Sequence, residues 1–279
     1  MRVYLAQFLS DPRVVALPRL LWLPILHGIV LRTRPARSAA KYELIWTPEG
    51  SPLAVHTAHQ AKLLAEKTGW DVRYAMRYGQ PSFDSVYGAM KDPLVLPLYP
   101  QFSQSTTGSI LDLLPHRPRI VREFHAHPAY ISALAATVLA HWKAHGEGEK
   151  LVMSFHGLPQ RAIDRGDPYQ AQCLATARLL ADALQKKDCL VTFQSRFGAA
   201  KWIQPYTEPT LVELARSGVK SVDVVCPGFV CDCLETLEEI DIGARKAFLA
   251  AGGHAFNYIP CLNESPEWIA ALESIVNGQ

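Results

Sequence analysis

The stretch KLVMSFHGLPQR, residues 150–161, decides the fold. Its first six residues are mostly apolar at both parities of a two-residue alternation, the pattern of a strand covered on both faces of a parallel sheet. Gly157 and Pro159 end the run. His156 is left at the carboxyl end of a buried strand, and in open α/β sheets ligands gather beyond those ends. Similar runs stand downstream at 189–193, 221–226 and 254–259 and upstream at 71–77 and 93–99. Amphipathic helical patterns separate them. Ser51-Pro52, Asp167-Pro168 and Ser265-Pro266 read as helix starts, and Gly69, Gly218 and Gly252 as helix ends. Alternating strand and helix predicts an α/β protein with helices on both faces of the sheet.

At ~150 residues per domain, a chain of 279 residues has room for two. The division falls near the helix 128–144 and the polar loop 145–150, which predicts domains over 1–127 and 128–279. Hydrophobic residues make up 49% and charged residues 19%, enough apolar mass for packed cores. Lys plus Arg is 28 against 26 for Asp plus Glu, so there is no basic field for nucleic acid. Six cysteines scattered at 173, 189, 226, 231, 233 and 261 suit a reducing compartment. Residues 14–31, VVALPRLLWLPILHGIVL, are the most apolar stretch, but Pro18, Arg19, Pro24, His27 and Gly28 interrupt it, so it does not span a membrane. Two readings stand: a kinked core helix, or an exposed apolar lip flanked by Arg32, Arg34 and Arg37.

Chemistry is sought just after the strands. The hydroxyl-rich turn 100–109 leads into a helix and suits either an anion or an ordinary helix cap. No GxGxxG and no phosphate-loop lysine occur, which disfavours nucleotides. His156 reads either as a proton acceptor or metal ligand, or as a structural histidine bonded to nearby backbone. If Asp232 opens a helix, Asp232, Glu235 and Glu239 share one face at i, i+3 and i+7. That stripe fits the helix dipole, solvation, or the handling of a cation or proton. Cys231 and Cys233 would lie about 200° apart on such a helix and cannot face one ion.

Together these segments resemble ferrochelatase, above all its proteobacterial protoporphyrin branch. The matching stretches are FLSDPRVV (8–15), MRYGQPS (76–82), LPLYPQFSQSTTGS (96–109), SFHGLPQR (154–161), RGDPY (165–169), TFQSRFG (192–198), KWIQPYT (201–207) and CPGFVCDCLETLEEID (226–241). The resemblance implies two Rossmann-like, chelatase-like domains, each a parallel sheet flanked by helices, with a porphyrin cleft between them. It implies insertion of Fe²⁺ into protoporphyrin IX, both as substrates. His156 and Glu235 would be catalytic and contact the metal, and Asp232 and Glu239 would form a proton or metal path. Arg77, Tyr78, Tyr99, Ser105, Thr106, Trp202 and Phe229 would surround the porphyrin.

The resemblance also implies that residues 14–31 are the apolar lip, with contact to a membrane surface from a cytoplasmic protein peripheral to the inner membrane. Some relatives carry an iron–sulfur cluster. Here Gln104 stands where they have cysteine and the sequence ends after a helix, so no cluster and no permanently bound cofactor is expected. Family members begin with a strand and a Gly-containing loop, whereas this chain starts at MRVYLAQ inside the following helix. The first strand of the N-terminal sheet is thus expected to be missing, exposing an edge. A porphyrin or haem carrier without turnover, and a chelatase for another tetrapyrrole or metal, are the alternative functions.

Overall fold

The computed structural model describes every residue except 16, 115–117, 197, 199 and 279. Residue 16 of the lip and residue 197 of TFQSRFG therefore lie outside the described residues. Helices α1 (Arg2–Ser10), α2 (Arg19–Ile25), α3 (Leu31–Glu43), α4 (Pro52–Thr68), α5 (Phe83–Tyr87) and α6 (Thr107–Leu111) precede α7 (Pro128–His145). Then come β1 (Lys150–His156), α8 (Gln160–Asp164), α9 (Tyr169–Ala183), β2 (Leu190–Gln194), α10 (Thr207–Arg216) and β3 (Ser221–Val225). A π-helix over Leu234–Ala244, α11 (Arg245–Ala250), β4 (Ala255–Tyr258) and α12 (Pro266–Asn277) complete the order.

The four strands form one parallel sheet in the order β2-β1-β3-β4. Parallel neighbours need crossover helices, and each connection here supplies one. Side chains alternate across β1 as its period of two requires. Leu151, Met153 and Phe155 enter a core with Tyr130 and Leu134 of α7, Cys173 and Leu180 of α9 and Trp268 of α12. Val152 joins the opposite core with Leu211 of α10, Ile240 of the π-helix and Phe248 of α11. The sheet is covered on both faces, as its apolar strands predict.

Residues 71–77 and 93–99 differ from the expectation of a second parallel sheet. Among the described residues they carry only isolated bridges, Met76 with Ser82 and Val95 with Ile120. Val95 N–H donates to Arg119 O at 2.8 Å, and Val121 N–H donates to Val95 O at 2.9 Å. Pro93 and Pro97 within the run 93–99, and Pro100 just after it, supply no N–H, so this run has too few donors for a central strand. Most side chains of 71–77 are only half-buried, unlike those of β1.

The lip combines both sequence readings. Leu26 and Leu31 turn inward against Leu5 and Leu9 of α1, and Trp22 Nε1 donates to Leu9 O at 2.7 Å. Leu20 and Leu21 stand outward, 91% and 68% exposed, beside exposed Ile25 and Ile29. No helix among the described residues is long and apolar enough to cross a membrane. The helix ends follow the sequence closely: Ser265 caps α12 by accepting from Trp268 N–H, Asp167 accepts from Tyr169 N–H, and Gly69 closes α4 in the left-handed region. Ser51 precedes α4 without a side-chain cap bond.

Hydrogen bonds tie residues 2–127 to the sheet region. Ser103 Oγ and Gln104 N–H both donate to Asp167, at 2.9 and 2.8 Å. Phe102 N–H donates to Gln172 Oε1 at 2.6 Å, and Gln60 Nε2 to Asn263 O at 2.7 Å. The bonds to Asp167 and Gln172 hold the turn 100–109 against the start of α9, and the Gln60 bond ties α4 to the segment beyond β4.

Candidate active site

A cleft of about 2310 Å³ lies between the carboxyl ends of the strands and the N-terminal elements. Typical small-molecule pockets hold roughly 300–1,000 Å³, so this one accommodates a large ligand. It is lined by His156, Glu235, Glu239, Trp202 and Phe229 on the sheet side. Arg77, Tyr78, Tyr99, Ser105 and Thr106 face it from the other side. Of the sequence-predicted site residues, Asp232 alone does not line it.

His156 is half-buried at the end of β1, and Gly157 is what lets it stand there. Gly157 N–H donates to Gln194 O at 2.7 Å across the β1–β2 pair. A Cβ on residue 157 would meet that oxygen at 2.7 Å and the Trp202 ring at 3.2 Å, so a side chain would push the strand ends apart. His156 Nδ1 lies 2.7 Å from Gly157 O. A carbonyl only accepts, so Nδ1 carries the hydrogen and the Nε2 lone pair of the neutral ring is free to take a proton or meet a metal. The Phe229 ring stands 6.4 Å from the imidazole, centroid to centroid.

The acidic segment departs from the expected α-helix. It begins at Leu234, capped reciprocally by Cys233 and Thr236, and runs as a π-helix. Bonds from i to i+5 place more residues in each turn, so Glu235 and Glu239, four apart, fall on one side and both reach the cleft. Asp232 precedes the helix and corrects the proposed stripe. Its carboxylate is buried and takes hydrogen bonds from Tyr258 OH, from Thr236 Oγ1 at 3.1 Å and from Asn263 Nδ2 at 2.7 Å. Both oxygens are committed to tying β3's exit loop to β4 and the segment beyond it. Asp232 is thereby held outside the cleft lining.

Glu239 is held on both oxygens: Ser195 N–H donates to Oε1 at 2.6 Å and Ser195 Oγ to Oε2 at 2.5 Å. Burial raises its pKa above the ordinary carboxylate value, and Glu235 adds to that, while the Ser195 bonds and His156 oppose it. Gln194 Nε2 donates to Glu235 O at 2.7 Å, fixing the helix backbone to the end of β2. Tyr42 on α3 and Tyr4 on α1 approach Glu235 from the opposite wall. Burial and then the Glu235 charge push Tyr42 up to about 12, so it stays a hydrogen-bond donor at neutral pH. Lys41 Nζ meets Glu238 at 2.8 Å and joins α3 to the π-helix.

The opposite wall carries a second polar group. Buried Asp11 accepts from Arg77 Nη2 at 2.5 Å, from Tyr78 OH at 2.7 Å and from Arg13 N–H at 2.8 Å. Arg77 also lies over the Tyr78 ring, 4.6 Å from its centroid. Gln104 accepts from Arg13, whose guanidinium pairs with Asp112 at 2.7 and 2.8 Å. That pair holds Asp112 below the ordinary carboxylate range. Sequence reading passed over Gln194, Ser195, Asp11, Tyr4 and Tyr42. Gln194 ends β2 and Ser195 follows it directly, the kind of strand-end position that singled out His156.

The chain is similar to known proteins in both sequence and fold. The family model described as Ferrochelatase matches residues 1–279. The chain is 55% identical to the ferrochelatase of Azoarcus sp. (strain BH72), over all of this chain and 82% of that protein. It is 51% identical to the ferrochelatase of Bordetella pertussis (strain Tohama I), over all of this chain and 83% of that protein. In fold it is similar to CbiX, titled the terminal enzyme for biosynthesis of siroheme in denitrifying bacteria. That likeness has a TM-score of 0.53 at 16% identity over 86% of this chain and 92% of the other. SirB from Bacillus subtilis with Fe³⁺ gives 0.52 at 16% identity over 82% and 91%.

Proposed function

The chain belongs to the ferrochelatase family, and from that premise we propose how its cleft performs the family's reaction. The reaction is insertion of ferrous iron into protoporphyrin IX to give protohaem, in haem biosynthesis. Two pyrrole N–H protons leave the macrocycle as Fe²⁺ sheds water and binds the four ring nitrogens. The site must supply a base, an outlet for protons and a transient contact for the metal.

His156 is the base, and the observation that carries this is its Nδ1 bond to Gly157 O, which leaves Nε2 as the free acceptor. Glu235 is the second acceptor and contacts the metal together with His156. Glu239, next along the same side of the π-helix, passes protons outward. Arg77, Tyr78, Tyr99, Ser105, Thr106, Trp202 and Phe229 form the walls around the macrocycle. The walls belong to domains 1–127 and 128–279. No permanently bound cofactor is needed.

The exposed leucines of the lip rest on a membrane surface from the cytoplasmic side of the inner membrane, where an apolar porphyrin concentrates. Leu21→Asp then weakens binding to liposomes while leaving thermal stability unchanged; undiminished binding removes the membrane role. The function itself is tested by anaerobic absorbance of the purified protein with protoporphyrin IX and Fe²⁺. Loss of the free-porphyrin spectrum with growth of the haem spectrum is expected. Porphyrin binding without metallation would instead identify a carrier.

A further inference from the structure

Ser195 has φ +66°, a left-handed backbone that residues with a Cβ adopt rarely and at a cost. It follows β2 directly, one residue beyond Gln194, which pairs with His156 in the sheet register. The left-handed turn points its N–H and its hydroxyl the same way, and both land on Glu239, one on each carboxylate oxygen. An extended residue at this position would continue the strand and send the two donors to different places. We propose that Ser195 is the positioning residue of the acidic path, a two-donor clamp that locks the Glu239 carboxylate beside His156 and is maintained by local backbone strain. Gln194 completes the clamp by holding the same helix through Glu235 O.

The inference deepens the chelatase reading and rests on it for its kinetic consequence. Ser195 acts through Glu239 and needs no contact with porphyrin or iron. Its loss should therefore lower kcat and leave the KM for porphyrin unchanged. Ser195→Gly is the informative variant, because glycine accepts the positive φ, retains the N–H and removes only the hydroxyl.

The experiment compares the wild type, Ser195→Gly, Glu239→Gln and the double variant by anaerobic metallation of protoporphyrin IX. Crystal structures of the wild type and Ser195→Gly accompany the kinetics. Ser195→Gly should keep its thermal stability and lose about tenfold in kcat, as expected for one hydrogen bond to a charged group. The double variant should be no slower than Glu239→Gln alone, since residues acting as one unit are not additive. In the crystal, Glu239 should swing from its wild-type position. A Ser195→Gly enzyme within twofold of wild-type kcat, additive losses, or an unmoved Glu239 would each overturn the clamp. Wild-type protein that fails to metallate would overturn the chelatase reading, and the crystal structures would still decide the clamp.

Discussion

The two walls of the cleft are built on different principles. Strands β1 to β4 form a parallel sheet sandwiched between two apolar cores. Residues 2–127 meet the cleft with helices and extended runs joined by isolated bridges and side-chain bonds. The sheet side carries His156, Glu235 and Glu239, whose positions must be held closely for proton transfer. The other side carries aromatic, hydroxyl and guanidinium groups proposed to surround the porphyrin, plus a lip with exposed leucines. In the proposed reading the proton-handling groups sit on the sheet wall, and most groups around the macrocycle sit on the other, with Trp202 and Phe229 added from the sheet side.

Mutations on the two walls should therefore fail differently. His156→Ala should lower metallation by more than about 100-fold, the scale of a lost general base, while porphyrin binding measured by fluorescence persists. Glu235→Gln should cost about 100-fold in kcat on the same grounds. Arg77→Ala, on the opposite wall, should instead raise the porphyrin KM with a smaller effect on kcat. Equal KM effects on both walls would erase the proposed division of labour.

Stability should divide the same way. Phe248→Ala removes a fully buried ring from the sheet core and should cost about 3–5 kcal/mol in denaturant unfolding. Leu96→Ala, in the half-buried run 93–99, should cost less than about 2 kcal/mol. Native-state hydrogen exchange should find the amides of Val152 and Val224 slowest and those of Val95 and Val121 faster. Matching protection on both sides would show that the bridges hold as firmly as the ladder.

The smallest expected effect concerns Glu239. Burial raises its folded-state pKa above that of the unfolded chain, so its contribution is complete at acid pH and lost as pH rises through the folded value. Ionisation of Glu239 above that folded value therefore destabilises the fold. Glu239→Gln should raise Tm at pH 7 by on the order of 2 °C and lose that gain toward pH 4, even as turnover falls. A variant no more stable at neutral pH would mean that the Ser195 bonds offset the burial completely.

The sheet strands, the helix starts at Asp167 and Ser265 and the place of His156 were legible because each depends on short-range pattern: apolar runs, Pro after a capping side chain, Gly after a strand. Helical spacing had already singled out Glu235, and the family motifs added its expected role and the aromatic wall. The run 93–99 looked like a strand because its apolar residues are plain, while its two prolines, with Pro100 just beyond, leave too few N–H donors for a ladder. Asp232 was misplaced because helical spacing was counted at 3.6 residues per turn from the wrong start. The π-helix begins two residues later and faces Glu235 and Glu239 into the cleft, while Asp232 turns to Tyr258, Thr236 and Asn263. Sequence alone determined which residue types meet at the strand ends, since burial and chain reversal are local demands. Only the tertiary structure decided which carboxylate faces the cleft and that Ser195 grips Glu239, because a helix's pitch and a bond across 44 positions are set by the partners packed against them.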